Sequence, residues 1–577
     1  MIFKALACDY DGTLASEDLL GPEALAALGK AREAGVRLLL VTGRTFFELT
    51  RVCERLDLFD AVVAENGAVL YYPRAGMIRD QAPPPPSRLL AELDRRGVYY
   101  QLGRVIVGTA RNDEARVRQA LLDTGVTLDL VYNRAALMLL PAGVSKGTGV
   151  RQVIRILGLS FHDVLALGDA ENDLDLFEVC GWAACPSNAV DGLQQRADWV
   201  FPGTDGQAVA GALENVILPE RLPVASSPRH RIALGWAVGS AEPVTIPERG
   251  VNVLILGDPL SGKSWMVGAL IERLLGRRYA VCVIDPEGDY RVLRRLAGVT
   301  WTVIRDRRSM ERVLGRFERD PAACVVADLS DLPHHAKVEC LAAGLGAIRR
   351  LRERFGLPHW VILDEAHYSL HSAGVAADRL GLGDKGFCLA SYKGSWLADK
   401  VVQAMDVFVV ARTTAPEELD FLHRRLAALP GNGGEAICVL PEISRGEFVL
   451  VEAEPGGPPR LLSFSATPRE TPHVRHLNKY ADQRVGSGRA FRFRRPDGAL
   501  AATAESLNEF RAAVASMDGA VLADHARRGD FSRWVEHVFS DLPLALLLRK
   551  VEARFTRGEI ADLRRAVAEP IELRYGG

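Results

Sequence analysis

Residues 2–13 read Ile2-Phe3-Lys4-Ala5-Leu6-Ala7-Cys8-Asp9-Tyr10-Asp11-Gly12-Thr13. An apolar run that stops at two aspartates one residue apart, with a glycine behind them, has the form of a buried strand opening into a polar turn. The form recurs: residues 36–41 run into Thr42-Gly43-Arg44, and residues 164–167 into Gly168-Asp169-Ala170-Glu171-Asn172-Asp173. Further short apolar runs at 61–64, 251–256, 279–284, 324–327, 360–363 and 407–410 are separated by helical patterns. Strands buried on both faces and linked by amphipathic helices predict parallel sheets in α/β layers. Such sheets gather ligands at the carboxyl ends of their strands, so the polar residues that follow each run are the ones to read.

The first three clusters should meet in one crevice. Asp9, Asp11, Asp169 and Asp173 would repel one another there unless a hard divalent cation neutralised them, and Mg2+ prefers such oxygen ligands. Asp9 would then be an oxygen nucleophile for phosphorus, forming an aspartyl-phosphate. Asp11 would protonate the leaving alcohol and later activate water. Thr42 and Lys146 would hold the phosphoryl oxygens, the lysine also offsetting transition-state charge.

The motifs Asp9-Tyr10-Asp11-Gly12-Thr13, Val41-Thr42-Gly43-Arg44, Ser145-Lys146-Gly147 and residues 168–173 occur in the order of the haloacid dehalogenase (HAD) superfamily. Over residues 1 to about 215 the chain resembles its Cof-like sugar-phosphatase subgroup, to which Glu65-Asn66-Gly67-Ala68 and Pro186-Ser187-Asn188-Ala189 also point. The resemblance implies a Rossmann-like parallel sheet, with Asp9 as nucleophile, Asp11 as acid/base and Asp169 as principal metal ligand. Residues 83–141 read as helix, strand (99–110), helix and two more strands (128–132 and 136–140), an α+β cap over the crevice. Caps of this kind imply a small phosphorylated substrate such as a sugar phosphate.

A second site follows the 251–256 run: Gly257-Asp258-Pro259-Leu260-Ser261-Gly262-Lys263-Ser264 satisfies the phosphate-cradling pattern G-x-x-x-x-G-K-S. Gly257 and Gly262 let backbone N–H groups wrap the phosphates of ATP, Lys263 reaches the terminal phosphates and Ser264 binds magnesium. The 360–363 run ends in Asp364-Glu365-Ala366-His367, where Asp364 would hold the metal through water and Glu365 would polarise the attacking water. With Asp285-Pro286-Glu287-Gly288-Asp289-Tyr290 and residues 386–412, these motifs resemble the HerA/FtsK-type P-loop ATPases. That resemblance implies a homo-oligomer, commonly a hexameric ring moving DNA or protein, in which Arg412 reaches a neighbour's nucleotide; an ordinary strand-end arginine is the alternative. Two features depart from it: the polar glutamine expected near Ser391-Tyr392-Lys393 is not evident, and an amino-terminal barrel is reduced at most to residues 230–249. DNA translocation is therefore not implied as firmly as ATP binding.

Breaks at 218–228 and 454–459, both rich in proline, divide the chain. The expected domains are a phosphatase at 1–217, a linker at 218–229, an ATPase at 230–453, and a basic segment with a small, mostly helical module at 454–577. In the last, His473, Arg475, His476, Lys479, Arg484, Arg489, Arg492, Arg494 and Arg495 surround Phe491 and Phe493. That pattern fits either a single-stranded nucleic-acid grip or, preferred here, a solvated hairpin. His473-x-x-His476 lacks further ligands and predicts no metal.

With 577 residues, the chain exceeds a single core. A net charge of −2 makes the whole molecule no magnet for nucleic acid or anionic lipid, so such binding would need a local patch. The opening residues do not form a secretory signal and no run is long enough to cross a bilayer. Nine dispersed cysteines without a C-x-x-C pair fit reduced thiols, and a cytoplasmic location is expected. Three functions fit: a metabolite phosphatase fused to an ATPase, a nucleic-acid machine whose phosphatase trims ends, or a nucleotide-gated scaffold.

Overall fold

The computed structural model describes residues 3–16, 19–221, 228–371, 380–427, 438–452, 460–471, 485, 488–539 and 542–575. The central linker residues 222–227, the break at 454–459, and His473, Arg475, His476, Lys479 and Arg484 lie outside the described residues.

The strand Ala5–Asp9 lies inside an eight-stranded sheet, flanked by parallel neighbours Val164–Leu167 and Arg37–Val41. Every residue of Ala5–Asp9 is buried, which is why it carries no polar side chain before Asp9. Beyond Arg37–Val41 come Ala61–Ala64, in parallel, and then Val69–Tyr72 and Met77–Asp80, antiparallel. Two apolar layers cover the sheet, one around Leu6, Leu38 and Leu165, the other around Ala7, Val63 and Ile154. The alternation along each strand divides residues between them.

A four-stranded antiparallel sheet, in the order Asp129–Asn133, Ala136–Leu140, Val107–Ala110, Tyr100–Leu102, forms the expected cap. Helices Ser87–Arg95 and Glu114–Thr124 close its own core through Leu89, Leu93 and Val117. The single strand expected over 99–110 is two strands instead. Residues 103–106 turn between them, and the N–H groups of Arg104, Val105 and Ile106 donate to the Glu65 carboxylate rather than to a neighbouring strand.

An eleven-stranded sheet follows. Val253–Leu256 lies between the parallel strands Val407–Ala411 and Phe387–Ser391, and the latter pairs with Trp360–Leu363, then Val281–Asp285. On the other side the strands become antiparallel: Glu447–Glu452, Arg460–Ala466, Arg231–Ala237 and Pro243–Pro247. Residues 231–247 are thus an edge hairpin of this sheet rather than a separate barrel. The proline-rich break at 454–459 does not end the sheet either, because the strands on its two sides pair in register, Glu452 opposite Arg460.

Contacts divide the chain into two compact units; the second contains Thr471–Gly577. There a hairpin, Phe491–Arg494 with Leu500–Ala504, precedes the helices Leu507–Ser516, Gly519–Arg527, Asp530–Trp534, Leu542–Thr556 and Leu563–Tyr575. Phe491 and Phe493 are buried in its core with Phe510 and Phe531, while Arg492 and Arg494 face out. Strand alternation therefore removes these aromatic rings from any stacking role with bases, and the hairpin reading describes them. Among the described residues no helix is long and apolar enough to cross a membrane.

Candidate active sites

In the first site, Asp9 ends its strand with a side chain that is almost fully buried. Lys146, the first residue of helix Lys146–Ile156, reaches it: its Nζ donates to Asp9 Oδ1 at 2.6 Å and to Asp173 Oδ1 at 2.8 Å. Asp173 Oδ2 accepts from the backbone N–H groups of Asp169 and Ala170 at 3.1 Å each, which folds the 169–173 loop around its own carboxylate. Thr13 Oγ1 donates to Asp169 Oδ1 at 3.2 Å. The left-handed turn at Gly12 (φ 73°) is what admits Asp169, since a Cβ there would stand 2.5 Å from Asp169 Oδ2.

Among the described residues, Asp9, Asp169 and Asp173 each offer a ligand oxygen within 4.8 Å of the others. Burial and then the charge of Asp173 hold the Asp9 carboxyl well above the usual carboxylate range, more than Lys146 draws it down. Burial and Asp173 raise Asp169 in the same way, against Arg134 and Lys146. Burial alone would lower the Lys146 ammonium, but Asp173 and Asp9 more than offset that and keep it firmly charged. Lys146 and Arg134 together carry two positive charges against three buried carboxylates. A hard cation on these oxygens fits the donor set and would favour the charged forms of the acids.

Asp11 does not join this group: its carboxylate takes Arg44, with Nη2 at 2.5 Å and Nε at 2.9 Å. Thr42 is buried at its strand end, its Oγ1 accepting the Arg44 N–H at 3.1 Å. Other residues of the crevice have no role in the motif reading. Asn172 Nδ2 donates to Asn66 Oδ1 at 2.9 Å beside Gly43. Arg134, from the cap, pairs with Asp169. Arg44 and Asn66 follow strand ends and that position signals them; nothing in the local sequence marks Arg134 apart from its place between two cap strands.

In the second site, Gly257 and Gly262 occupy positive φ (147° and 109°), and helix Lys263–Gly276 starts directly behind them. Lys263 Nζ donates to the Asp258 carbonyl at 2.9 Å, and the Asp258 carboxylate accepts from Thr414 N and Oγ1 at 2.8 and 2.6 Å. Ser264 is the next residue of the helix. Asp364 is buried, its Oδ1 accepting the Glu365 N–H at 2.8 Å, and Glu365 is left-handed at φ 49°. His367 Nδ1 lies 3.1 Å from Ser391 Oγ, which also accepts the Lys393 N–H at 2.9 Å. Serine and histidine thus occupy the strand end where a glutamine was expected. Burial, with Lys263 and Lys393 nearby, draws the His367 pKa down to about 4 despite Asp364, so its ring is neutral at pH 7. Arg412 is exposed at the end of Val407–Ala411.

Residues 6–89 and 104–213 match a family model described as haloacid dehalogenase-like hydrolase. Residues 252–332 match one described as the central domain of the helicase HerA. The chain is 30% identical over 225 residues to a phosphoglycolate phosphatase of Methanothermobacter thermautotrophicus, covering 36% of this chain and 97% of the relative. It is 31% identical over 220 residues to a phosphoglycolate phosphatase of Natronomonas pharaonis, covering 36% and 94%. A crystal structure of a Thermoplasma acidophilum protein covers 37% of this chain and 97% of its own, at 22% identity and a TM-score of 0.33.

Proposed function

Because the chain belongs to the haloacid dehalogenase-like hydrolases, we propose that residues 1–217 hydrolyse a small phosphomonoester through a phosphorylated Asp9, and that residues 230–466 bind and hydrolyse ATP. The observation that carries the first part is the Lys146 ammonium bridging Asp9 and Asp173 beside Asp169 at the mouth of one sheet.

Asp9, Asp169 and Asp173 would hold Mg2+, which when bound supplies positive charge to the phosphoryl oxygens. An Asp9 oxygen attacks phosphorus as the ester P–O bond breaks, and Asp11 gives its proton to the departing alkoxide. Asp11, now a carboxylate, takes a proton from water; the water oxygen bonds to phosphorus, the Asp9–phosphorus bond breaks, and inorganic phosphate leaves. Arg44 contacts both Asp11 carboxylate oxygens and orients the group toward the crevice. Lys146 and Thr42 orient the phosphoryl group. The relatives named phosphoglycolate phosphatases make 2-phosphoglycolate, ahead of sugar phosphates, the first compound to assay.

In the ATPase, Gly257, Gly262 and Lys263 would cradle the phosphates, Ser264 and Asp364 hold Mg2+, and Glu365 orient water. The HerA match supports a second reading, a ring motor with Arg412 serving its neighbour. The arrangement of the two domains weighs against direct transfer of nucleic-acid ends between the sites. They meet at residues preceding their strands: Lys4 with Glu353, and Asp163 with Arg249 and His359. Both catalytic mouths lie at the opposite, carboxyl ends.

Phosphate release from 2-phosphoglycolate, sugar phosphates and 5′-phosphorylated DNA, with Mg2+, tests the reading. Asp9→Asn should fall below about one-thousandth of wild type; retained turnover in that variant removes Asp9 as nucleophile. Release from DNA ends alone would favour the motor.

A further inference from the structure

Among the described residues, Arg134 is the cap side chain that forms an ion pair with the carboxylate cluster. Strands Asp129–Asn133 and Ala136–Leu140 pair with Asn133 opposite Ala136, so Arg134 and Ala135 form a two-residue turn. Arg134 holds a left-handed backbone, φ 51°, unusual for a residue other than glycine, asparagine or aspartate. The turn is fixed from both sides. Its Arg134 N–H donates to Glu171 Oε2 of the metal loop at 3.3 Å, while Arg111 donates from its own N–H to the Ala135 carbonyl at 2.9 Å and from Nη1 to the Arg134 carbonyl at 3.4 Å. The guanidinium then pairs with Asp169 Oδ2.

This pair is lopsided: the Arg134 side chain is 54% exposed and that of Asp169 only 2%. An ion pair with one partner so exposed contributes little to stability, whereas left-handed backbone at an arginine has a cost. Stability therefore does not account for the position. The phosphoryl end of a substrate is committed to Asp9, Lys146 and the metal, so its alcohol end must extend toward the cap, where it meets Arg134. A guanidinium selects a carboxylate or phosphate there by paired hydrogen bonds.

We propose that Arg134 is a specificity-determining residue that binds a second oxyanion on the alcohol side of the substrate, a deepening of the phosphatase reading on which it rests. Arg134 pairs with Asp169 Oδ2, so a cation held by Asp169 would leave the guanidinium to the substrate. The same arginine thus competes with the metal and selects the ester.

Three esters separate the sources of the oxyanion: 2-phosphoglycolate (carboxylate), fructose 1,6-bisphosphate (second phosphate) and ethyl phosphate (none). In wild type, kcat/KM should favour one of the charged esters over ethyl phosphate. Arg134→Ala should reduce that preference by about 10- to 100-fold, mainly through KM, and Arg134→Lys should recover part of it. Mn2+ binding, followed by calorimetry without substrate, should tighten several-fold in Arg134→Ala because its competitor is gone. An unchanged ester preference together with unchanged Mn2+ affinity would overturn the proposal, as would wild-type preference for ethyl phosphate. If wild type hydrolyses none of the three, the phosphatase reading fails separately. Calorimetric affinities of Asp9→Asn and Asp9→Asn/Arg134→Ala for the same esters then decide the role of Arg134: equal charged-over-neutral preference in both rejects it, and loss of preference in the second upholds it.

Discussion

At the scale of single residues, the first site is a balance of buried charge. Lys146 is 1% exposed and sits between Asp9 and Asp173, so it holds apart two carboxylates that would otherwise face each other without compensation. Removing one partner of a buried charge cluster commonly costs about 3–5 kcal/mol. Lys146→Met should therefore lower the unfolding free energy by that order in metal-free buffer, read by urea denaturation. Added Mg2+ should restore part of the loss, because a cation on the same oxygens does the same electrostatic work. No loss without metal would mean the carboxylates are already protonated and the lysine incidental. Lys146 was legible in the sequence because Ser145-Lys146-Gly147 falls in the motif order of the haloacid dehalogenase resemblance. Arg134 was not, because its partner is 35 positions away and only the hairpin register brings the two together.

Single elements show the same division between local pattern and long-range pairing. Strand ends were readable wherever an apolar run met polar residues, and all three crevice motifs follow strands as expected. The split of the 99–110 run was hidden, because its cause is a carboxylate on another strand. Glu65 accepts backbone N–H groups from Phe46 in the core domain and from Arg104, Val105 and Ile106 in the cap. Gly103 fits there only because it lacks a side chain; a Cβ would stand 2.5 Å from Glu65 Oε2. Glu65 thus latches the cap to the core through four donors that a carboxylate alone can accept together. Glu65→Gln would turn an amide N–H toward them, a mismatch of about 1–3 kcal/mol. Faster amide exchange at residues 104–106 and a raised KM are expected; unchanged exchange would show that the apolar contacts of Val105 and Ile106 hold the loop unaided. The hairpin at 231–247 lay inside the expected ATPase span of 230–453, but its pairing into the sheet was hidden for the same reason, its partner strand lying more than 200 positions on.

Across the first compact unit, phosphatase and ATPase share a polar junction whose two histidines titrate in opposite directions. His162 stacks on Tyr279 at 3.6 Å between ring centres, and its Nε2 donates to the Arg277 carbonyl at 2.8 Å. Burial, with His359 and Arg249 beside it, lowers its pKa to about 3. His230 lies between two carboxylates, Nε2 to Asp198 at 2.7 Å and Nδ1 to Glu248 at 2.8 Å, with Arg229 and Arg277 on those same acids. Burial disfavours its charge, yet the bonds to Asp198 and Glu248 prevail and raise its pKa. Between the ordinary histidine value of 6.5 and about 3, unfolded His162 binds a proton that the native ring refuses, so stability falls as pH drops through that window. His230 acts above 6.5: its contribution is complete below the unfolded value and is lost as pH rises through the elevated native one. The junction should therefore be most stable near pH 6.5, flanked by one histidine on each side. Asp163, Asp198 and Glu248 have lowered pKa values and add their own loss only at more acidic pH. His162→Phe, which keeps the stacking on Tyr279, should flatten the acidic side between about pH 4.5 and 6.5, where the wild-type loss amounts to a few kcal/mol at most. His230→Gln should instead flatten the alkaline side. Urea denaturation across that pH range reads both; if each variant moves the whole curve without changing its shape, the histidines are packing groups and the junction has no titration of its own.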